Sequence, residues 1–191
     1  MAQRASPCPM REKIRIGDCR FGKGVFARSI IRKGEEILCF SGPLINLEEA
    51  LAKGERQCDP LQIGRRLYMD IGSPGVLVNH SCEPNAGIRH DVRLVAITDI
   101  RPGEEIFYDY STTMDEDHWT LRCLCGSVVC RVNVGDFRYL PLHTRRKYLR
   151  IGIVQTYLAS QFNHPARKKT VIQKLGKEIR AVGRTHQLAL H

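Results

Sequence analysis

Asn79-His80-Ser81-Cys82-Glu83-Pro84-Asn85 lies between two apolar runs, Gly75-Val76-Leu77-Val78 and Arg93-Leu94-Val95-Ala96-Ile97. Asn, Ser and Pro explain a tight loop that closes one strand and opens the next. A His and a Cys inside that loop have no turn chemistry to explain them, and they mark a site. Downstream, Arg101-Pro102-Gly103-Glu104 reads as a turn. Glu105 to Tyr108 resumes as strand and ends in the tripeptide Tyr108-Asp109-Tyr110.

Working outward, Lys13 to Ile16 alternates like a half-buried strand. Phe21-Gly22-Lys23-Gly24-Val25-Phe26-Ala27 follows, with two glycines that let a backbone approach a ligand or another strand. Ile30 to Leu38 reads strand, turn, strand, ending at Phe40-Ser41-Gly42. Asn46 and Glu49 form a capping-box pattern for a short helix with Leu47, Ala50 and Leu51 inward and Gly54 as its stop. Residues 54–66 read as a polar loop, Leu67 to Asp70 as a short strand, and Val92 to Ile97 as the strongest strand of the chain. Short strands without βα alternation predict a β-rich α+β fold of small sheets.

The chain has 191 residues, 42% apolar and 26% charged, which suits one globular core with a tail or small subdomain. No apolar run approaches the ~20 residues needed to cross a bilayer, and Met1 to Lys13 lacks the apolar centre of a secretory signal. No membrane partner is expected. The expected location is intracellular, cytoplasmic in a bacterium and nuclear in a eukaryote. Eight cysteines then read as thiols or metal ligands. Cys8, Cys19, Cys39 and Cys58 are scattered, whereas Cys123, Cys125 and Cys130 cluster. From Pro141 onward eleven Lys/Arg face one acid, Glu178, and this accounts for the whole net charge of +10. Leu142 to Phe162 and Ala166 to Val182 read as helices of this segment. Its basic face is either solvated or meets something anionic, nucleic acid included.

Cys123-Leu124-Cys125 and Cys130 supply three thiols, one short of a tetrahedral zinc site, and Cys82 is the natural fourth candidate. Four thiolates would close the metal, so a zinc hydrolase is a poor reading. Asp115-Glu116-Asp117 either attracts a basic peptide or is a solvated loop.

The opening motif, then Gly103-Glu104-Glu105-Ile106-Phe107-Tyr108-Asp109-Tyr110, then Cys-x-Cys-x₄-Cys, together resemble the SET-domain protein lysine methyltransferases over roughly residues 13–140. The resemblance implies a β-clip, knot-like SET fold of small curved sheets with a helical basic C-terminal extension. Its divisions are a leader (1–12), the SET domain (13–119), a post-SET zinc segment (120–140) and the extension (141–191), with no pre-SET module. It implies S-adenosylmethionine at Phe21, Gly22, Lys23, Gly24, Asn79, His80 and Tyr110. Tyr110 and Tyr108 would be catalytic, with Phe40 and Tyr108 in the lysine channel. Structural zinc would sit on Cys82, Cys123, Cys125 and Cys130. The implied substrate is a lysine of a histone or another basic protein, mainly mono-methylated because Tyr108 restricts room at the amine. Val76 and Leu77 stand where the family often has Arg-Phe. The competing reading is a non-catalytic SET-like module that binds nucleic acid or a chromatin-like partner through the basic tail.

Overall fold

The computed structural model describes residues 11–56, 59–117 and 119–163. β1 (Ile14–Cys19) and β2 (Gly22–Ala27) form an antiparallel hairpin, turned where Gly22 takes φ +98°. β3 (Glu36–Cys39) returns after a bridge between Ile31 and Ile100. β4 (Leu44–Asn46) leads into the short helix α1 (Leu47–Leu51). The Asn46 side chain accepts from the Glu49 N–H at 2.9 Å, and the Glu49 carboxylate accepts from the Asn46 N–H at 2.8 Å. The expected capping box is therefore present. Of the expected inner face only Ala50 is buried, and Leu51 is exposed.

β5 (Leu61–Gly64) and β6 (Leu67–Met69) complete a three-stranded sheet in the order β4-β6-β5. The loop expected over 54–66 is thus corrected in its second half. Leu61 and Gln62 pair with β6 and are buried, which no local polarity pattern reveals. Gly75–Leu77, read as an apolar strand-like run, is one turn of 3-10 helix.

β7 (Asn79–His80), β8 (Ala86–Arg89) and β9 (Arg93–Ala96) follow, and β3-β9-β8 form a second antiparallel sheet. β10 (Phe107–Tyr108) runs parallel to β7, with Phe107 beside Asn79 and Tyr108 beside His80. This pairing brings the two motifs together. Asn85 fixes it: its amide donates to the Glu105 carbonyl at 2.7 Å and its oxygen accepts from the Phe107 N–H at 2.9 Å. Ile31, Ile37, Ile88, Leu94, Ile100 and Ile106 fill the core between these sheets and are fully buried.

β11 (Leu121–Arg122) and β12 (Asn133–Val134) make a two-residue ladder around the cysteine loop. α2 (Leu142–Ile151) ends at Gly152, whose left-handed φ of 69° breaks the single helix expected over 142–162, and α3 (Thr156–Asn163) follows. The first compact unit runs to Leu158. Tyr148, Ile153 and Leu158 are buried in it. At Gly87 on β8 an added Cβ would lie 2.6 Å from Ile153, so the glycine lets this segment close on the sheet. The second unit begins at Ala159, and the helix expected over 166–182 lies outside the described residues. No helix among the described residues is long and apolar enough to cross a membrane.

Candidate active site

A cavity of about 530 Å³ opens where β7 and β10 end, and Phe21, Asn79, His80, Tyr108 and Tyr110 all line it. Gly22, Lys23 and Gly24 pass beside it without lining it, and Phe40 lies behind Tyr108 with ring centroids 6.1 Å apart. Asn79 ties the glycine hairpin to this wall. Its amide donates to the Lys23 carbonyl at 3.0 Å and to the Glu105 carboxylate at 2.8 Å. A Cβ at Gly24 would collide with that carboxylate and crowd the Asn79 amide at 3.2 Å. Glycine here therefore serves the approach of two protein segments.

Tyr108 and Tyr110 sit with ring centroids 4.8 Å apart. Tyr108 is buried, and burial first, then neighbouring Tyr110 and Asp109, raises its pKa. Tyr110 is partly buried. Its hydroxyl donates to the Val78 carbonyl at 3.0 Å, and both residues line the cavity. Trp119, absent from the sequence reading, approaches Tyr110 at 6.3 Å between centroids.

His80 is buried, and burial lowers its pKa to about 4 despite Asp109 nearby. It is therefore neutral at pH 7. Its Nδ1 accepts from the Tyr110 N–H at 3.2 Å, which assigns the hydrogen to Nε2, 3.4 Å from Cys82 Sγ. The histidine thus braces the tyrosine on one side and the cysteine on the other.

Cys82, Cys123, Cys125 and Cys130 converge, with their four sulfurs within 4.8 Å of one another. Four thiolates at ~2.3 Å from a tetrahedral zinc ion lie a little under 4 Å apart, so this donor set fits a metal ion with small adjustments. The Arg131 N–H points at Cys82 Sγ and the Cys125 N–H at Cys123 Sγ, both at 3.4 Å. Such donors orient and stabilise thiolate ligands. Burial pushes the thiols of Cys82 and Cys123 up; at Cys125 hydrogen bonds outweigh burial and the pKa falls to about 6. Cys123 and Cys125 also line the cavity, so the cluster and the cavity share a wall.

Sequence reasoning assigned no role to Asp109, yet it is the polar hub behind this wall. Its carboxylate takes two hydrogen bonds from Arg131 at 2.7 Å, one from the Ser111 N–H at 3.1 Å and one from the Tyr148 hydroxyl at 3.1 Å. The available signal was a lone acid between two tyrosines, with a cation next to Cys130.

The protein-family profile described as SET domain matches residues 22–111, the span that contains both motifs. Histone-lysine N-methyltransferase, H3 lysine-4 specific, from Cryptococcus neoformans is 30% identical over 129 residues, 58% of this chain and 9% of that protein. Human Histone-lysine N-methyltransferase 2B is 31% identical over 128 residues, again 58% of this chain and 5% of that protein. A 41% identity over 81 residues links it to the Fusarium mangiferae Histone-lysine N-methyltransferase, H3 lysine-9 specific KMT1, over 32% of this chain and 23% of that protein. A chain of the humanized Chaetomium thermophilum Polycomb Repressive Complex 2 overlaps it at TM-score 0.46 and 24% identity, over 54% of this chain and 15% of that one. The chain thus spans less than a quarter of the length of the curated relatives named. Residues 22–111 thus form a SET domain, and the relatives that match over this region are named histone-lysine N-methyltransferases.

Proposed function

We propose that this protein is an S-adenosylmethionine-dependent protein-lysine N-methyltransferase. The observation that carries the reading is the convergence of Asn79, His80, Tyr108 and Tyr110 on one cavity, built by the parallel β7–β10 pair. When bound, S-adenosylmethionine supplies a sulfonium methyl electrophilic enough to need no metal or covalent nucleophile.

The remaining task of the chain is to present a neutral amine in line. A free lysine holds its proton up to a pKa near ~10.4, and a desolvated channel beside positive charge lowers that value. Tyr108 and Tyr110, with ring centroids 4.8 Å apart, would form such a channel wall, and the bond to the Val78 carbonyl would orient the Tyr110 hydroxyl. Phe21, Asn79 and the Gly22-Lys23-Gly24 strand would hold the cofactor, and His80 would fix the backbone of Tyr110. Zinc on Cys82, Cys123, Cys125 and Cys130 would hold the adjoining lobe in place. The substrate is a lysine of a basic protein, and the similarity to histone-lysine N-methyltransferases favours a histone.

The wild-type protein, given histones and labelled cofactor, should release S-adenosylhomocysteine. Tyr110→Phe should lower that rate ~100-fold or more, the scale of losing one oriented polar contact. Equal background from both proteins would leave a non-catalytic module. Mass spectrometry at low turnover should show mono-methyl-lysine as the main product, because the Tyr108 hydroxyl would restrict room at the amine, and mostly trimethyl-lysine would refute this.

One observation favours an additional contact with nucleic acid. His143, Arg146, Lys147 and Arg150 are exposed at helical spacing along one face of α2. Phosphate contacts through that stripe should weaken steeply with salt.

A further inference from the structure

Asp109 and the turn that follows it are gripped by α2 and the residues just beyond it. Tyr110–Thr112 make one turn of 3-10 helix, and the Asp109 carboxylate caps it by accepting from the Ser111 N–H at 3.1 Å. The Tyr148 hydroxyl donates to that carboxylate at 3.1 Å. The Gln155 N–H donates to the Thr112 carbonyl at 3.1 Å, and the Tyr157 hydroxyl to the Thr113 carbonyl at 2.6 Å. Asp109, Thr112 and Thr113 are buried, so these bonds are shielded from solvent and correspondingly strong.

A support must itself be held. The Arg89 guanidinium on β8 donates to the Ile151 carbonyl at 3.1 Å. Between β8 and β9, the Asp91 carboxylate accepts from the Thr156 N–H at 2.6 Å and its carbonyl from the Gln155 amide at 3.0 Å. The segment is thereby anchored on the β8–β9 pair, independently of the turn it grips. At Tyr110 itself, the His80 ring takes the N–H and the Val78 carbonyl takes the hydroxyl. One side of the turn is therefore held at residues 78–80 and the other by a separately anchored element.

We propose that Tyr148 and Tyr157 are positioning residues: through the Asp109 carboxylate and the Thr113 carbonyl they hold the Tyr110 ring where methyl transfer requires it. The proposal rests on the methyltransferase reading for the reaction it serves. Neither tyrosine lines the cavity, so both act through the turn. Displacing a reacting or orienting group by about 1 Å costs on the order of 100-fold in rate, and phenylalanine at either position removes one of the bonds that prevent it.

The test uses the full chain with Tyr148→Phe, Tyr157→Phe and the double variant. Ile31→Val, a core substitution of similar cost to stability at the bridge to Ile100, is the control. Methyl transfer from labelled cofactor to histones is measured well below every melting temperature, and amide hydrogen exchange over residues 109–113 by mass spectrometry. In each tyrosine variant kcat should fall about tenfold, and in the double about 100-fold, with KM for cofactor and histone within about twofold. The turn should exchange about fivefold faster in each, the opening that one net hydrogen bond restrains. Ile31→Val should keep the wild-type kcat and the wild-type exchange over the turn. Wild-type kcat in both tyrosine variants, unchanged exchange over the turn, or an equal loss in Ile31→Val overturns the positioning role and leaves the methyltransferase reading standing. No transfer by any of the proteins, with faster exchange confined to the tyrosine variants, overturns the methyltransferase reading and retains the grip on the turn.

Discussion

Asp109 has no exposed atoms to speak of, and Arg131 grips both its oxygens at 2.7 Å. Burying such a pair adds little net stability, but removing one partner leaves the other charged and desolvated. Asp109→Asn should therefore cost about 3–5 kcal/mol in urea unfolding, whereas Tyr148→Phe, which removes one hydrogen bond to the same carboxylate, should cost about 1 kcal/mol. Equal small losses would show that Arg131 finds compensation elsewhere. The pair also refines what His80 and Cys82 do. His80, expected at the cofactor, lines the cavity, and its Nε2 lies 3.4 Å from the Sγ of Cys82, expected at the metal, so the two residues are in direct contact. His80, Cys82, Asp109 and Arg131 form one connected unit. Residue identities in the motifs were legible because each is an unusual type in its local setting. Arg131 was not, because its partner lies 22 residues away in sequence.

At the scale of elements, legibility follows how local each interaction is. Asn46 and Glu49 are three residues apart, and their mutual capping bonds appear as expected. The β7–β10 pair joins residues that no periodicity relates, because parallel neighbours need a long connection. β5 escaped for a related reason: its four residues are strand only because β6 supplies a partner. β11 and β12 pair over two residues each, far below what a ladder needs to stand alone. Among the described residues, the buried cluster around them comprises Cys82, Cys123 and Val134, with a few partly buried neighbours. So small a core fits a lobe held by the proposed zinc on its four thiols. With zinc on these thiols as proposed, chelation should free four reactive thiols, expose residues 120–135 to proteolysis and abolish the proposed methyl transfer. The β-sheet core should keep its circular dichroism, since Ile31, Ile37, Leu94 and Ile106 pack without the lobe. A lobe that resists protease after chelation would show that side-chain packing alone suffices.

The whole molecule is organised differently from its charge distribution. Charge alone places a boundary near Pro141, because the basic excess begins there, and that signal concerns the surface. Burial places the end of the first unit at Leu158. Between those limits Tyr148 reaches Asp109, and Ile153 packs against Gly87 on β8. Arg89 on that strand donates to the Ile151 carbonyl at 3.1 Å, and the Gln155 N–H donates to the Thr112 carbonyl at 3.1 Å. Tyr148, Ile153 and Leu158 are each at most 2% exposed. Burying an apolar side chain of this size contributes roughly 1.5–3 kcal/mol. Three of them rival the ~5–15 kcal/mol that separates a folded domain from its unfolded chain. Truncation after Leu140 should therefore abolish a cooperative melt at physiological temperature, even though every motif residue is retained. Truncation after Asn163 removes seven Lys/Arg but leaves these contacts, and it should melt within a few degrees of the full chain. Thermal melts of the two truncations by circular dichroism decide the matter. If both melt like the full chain, residues 142–158 are an appendage, and the charge boundary is also the structural one.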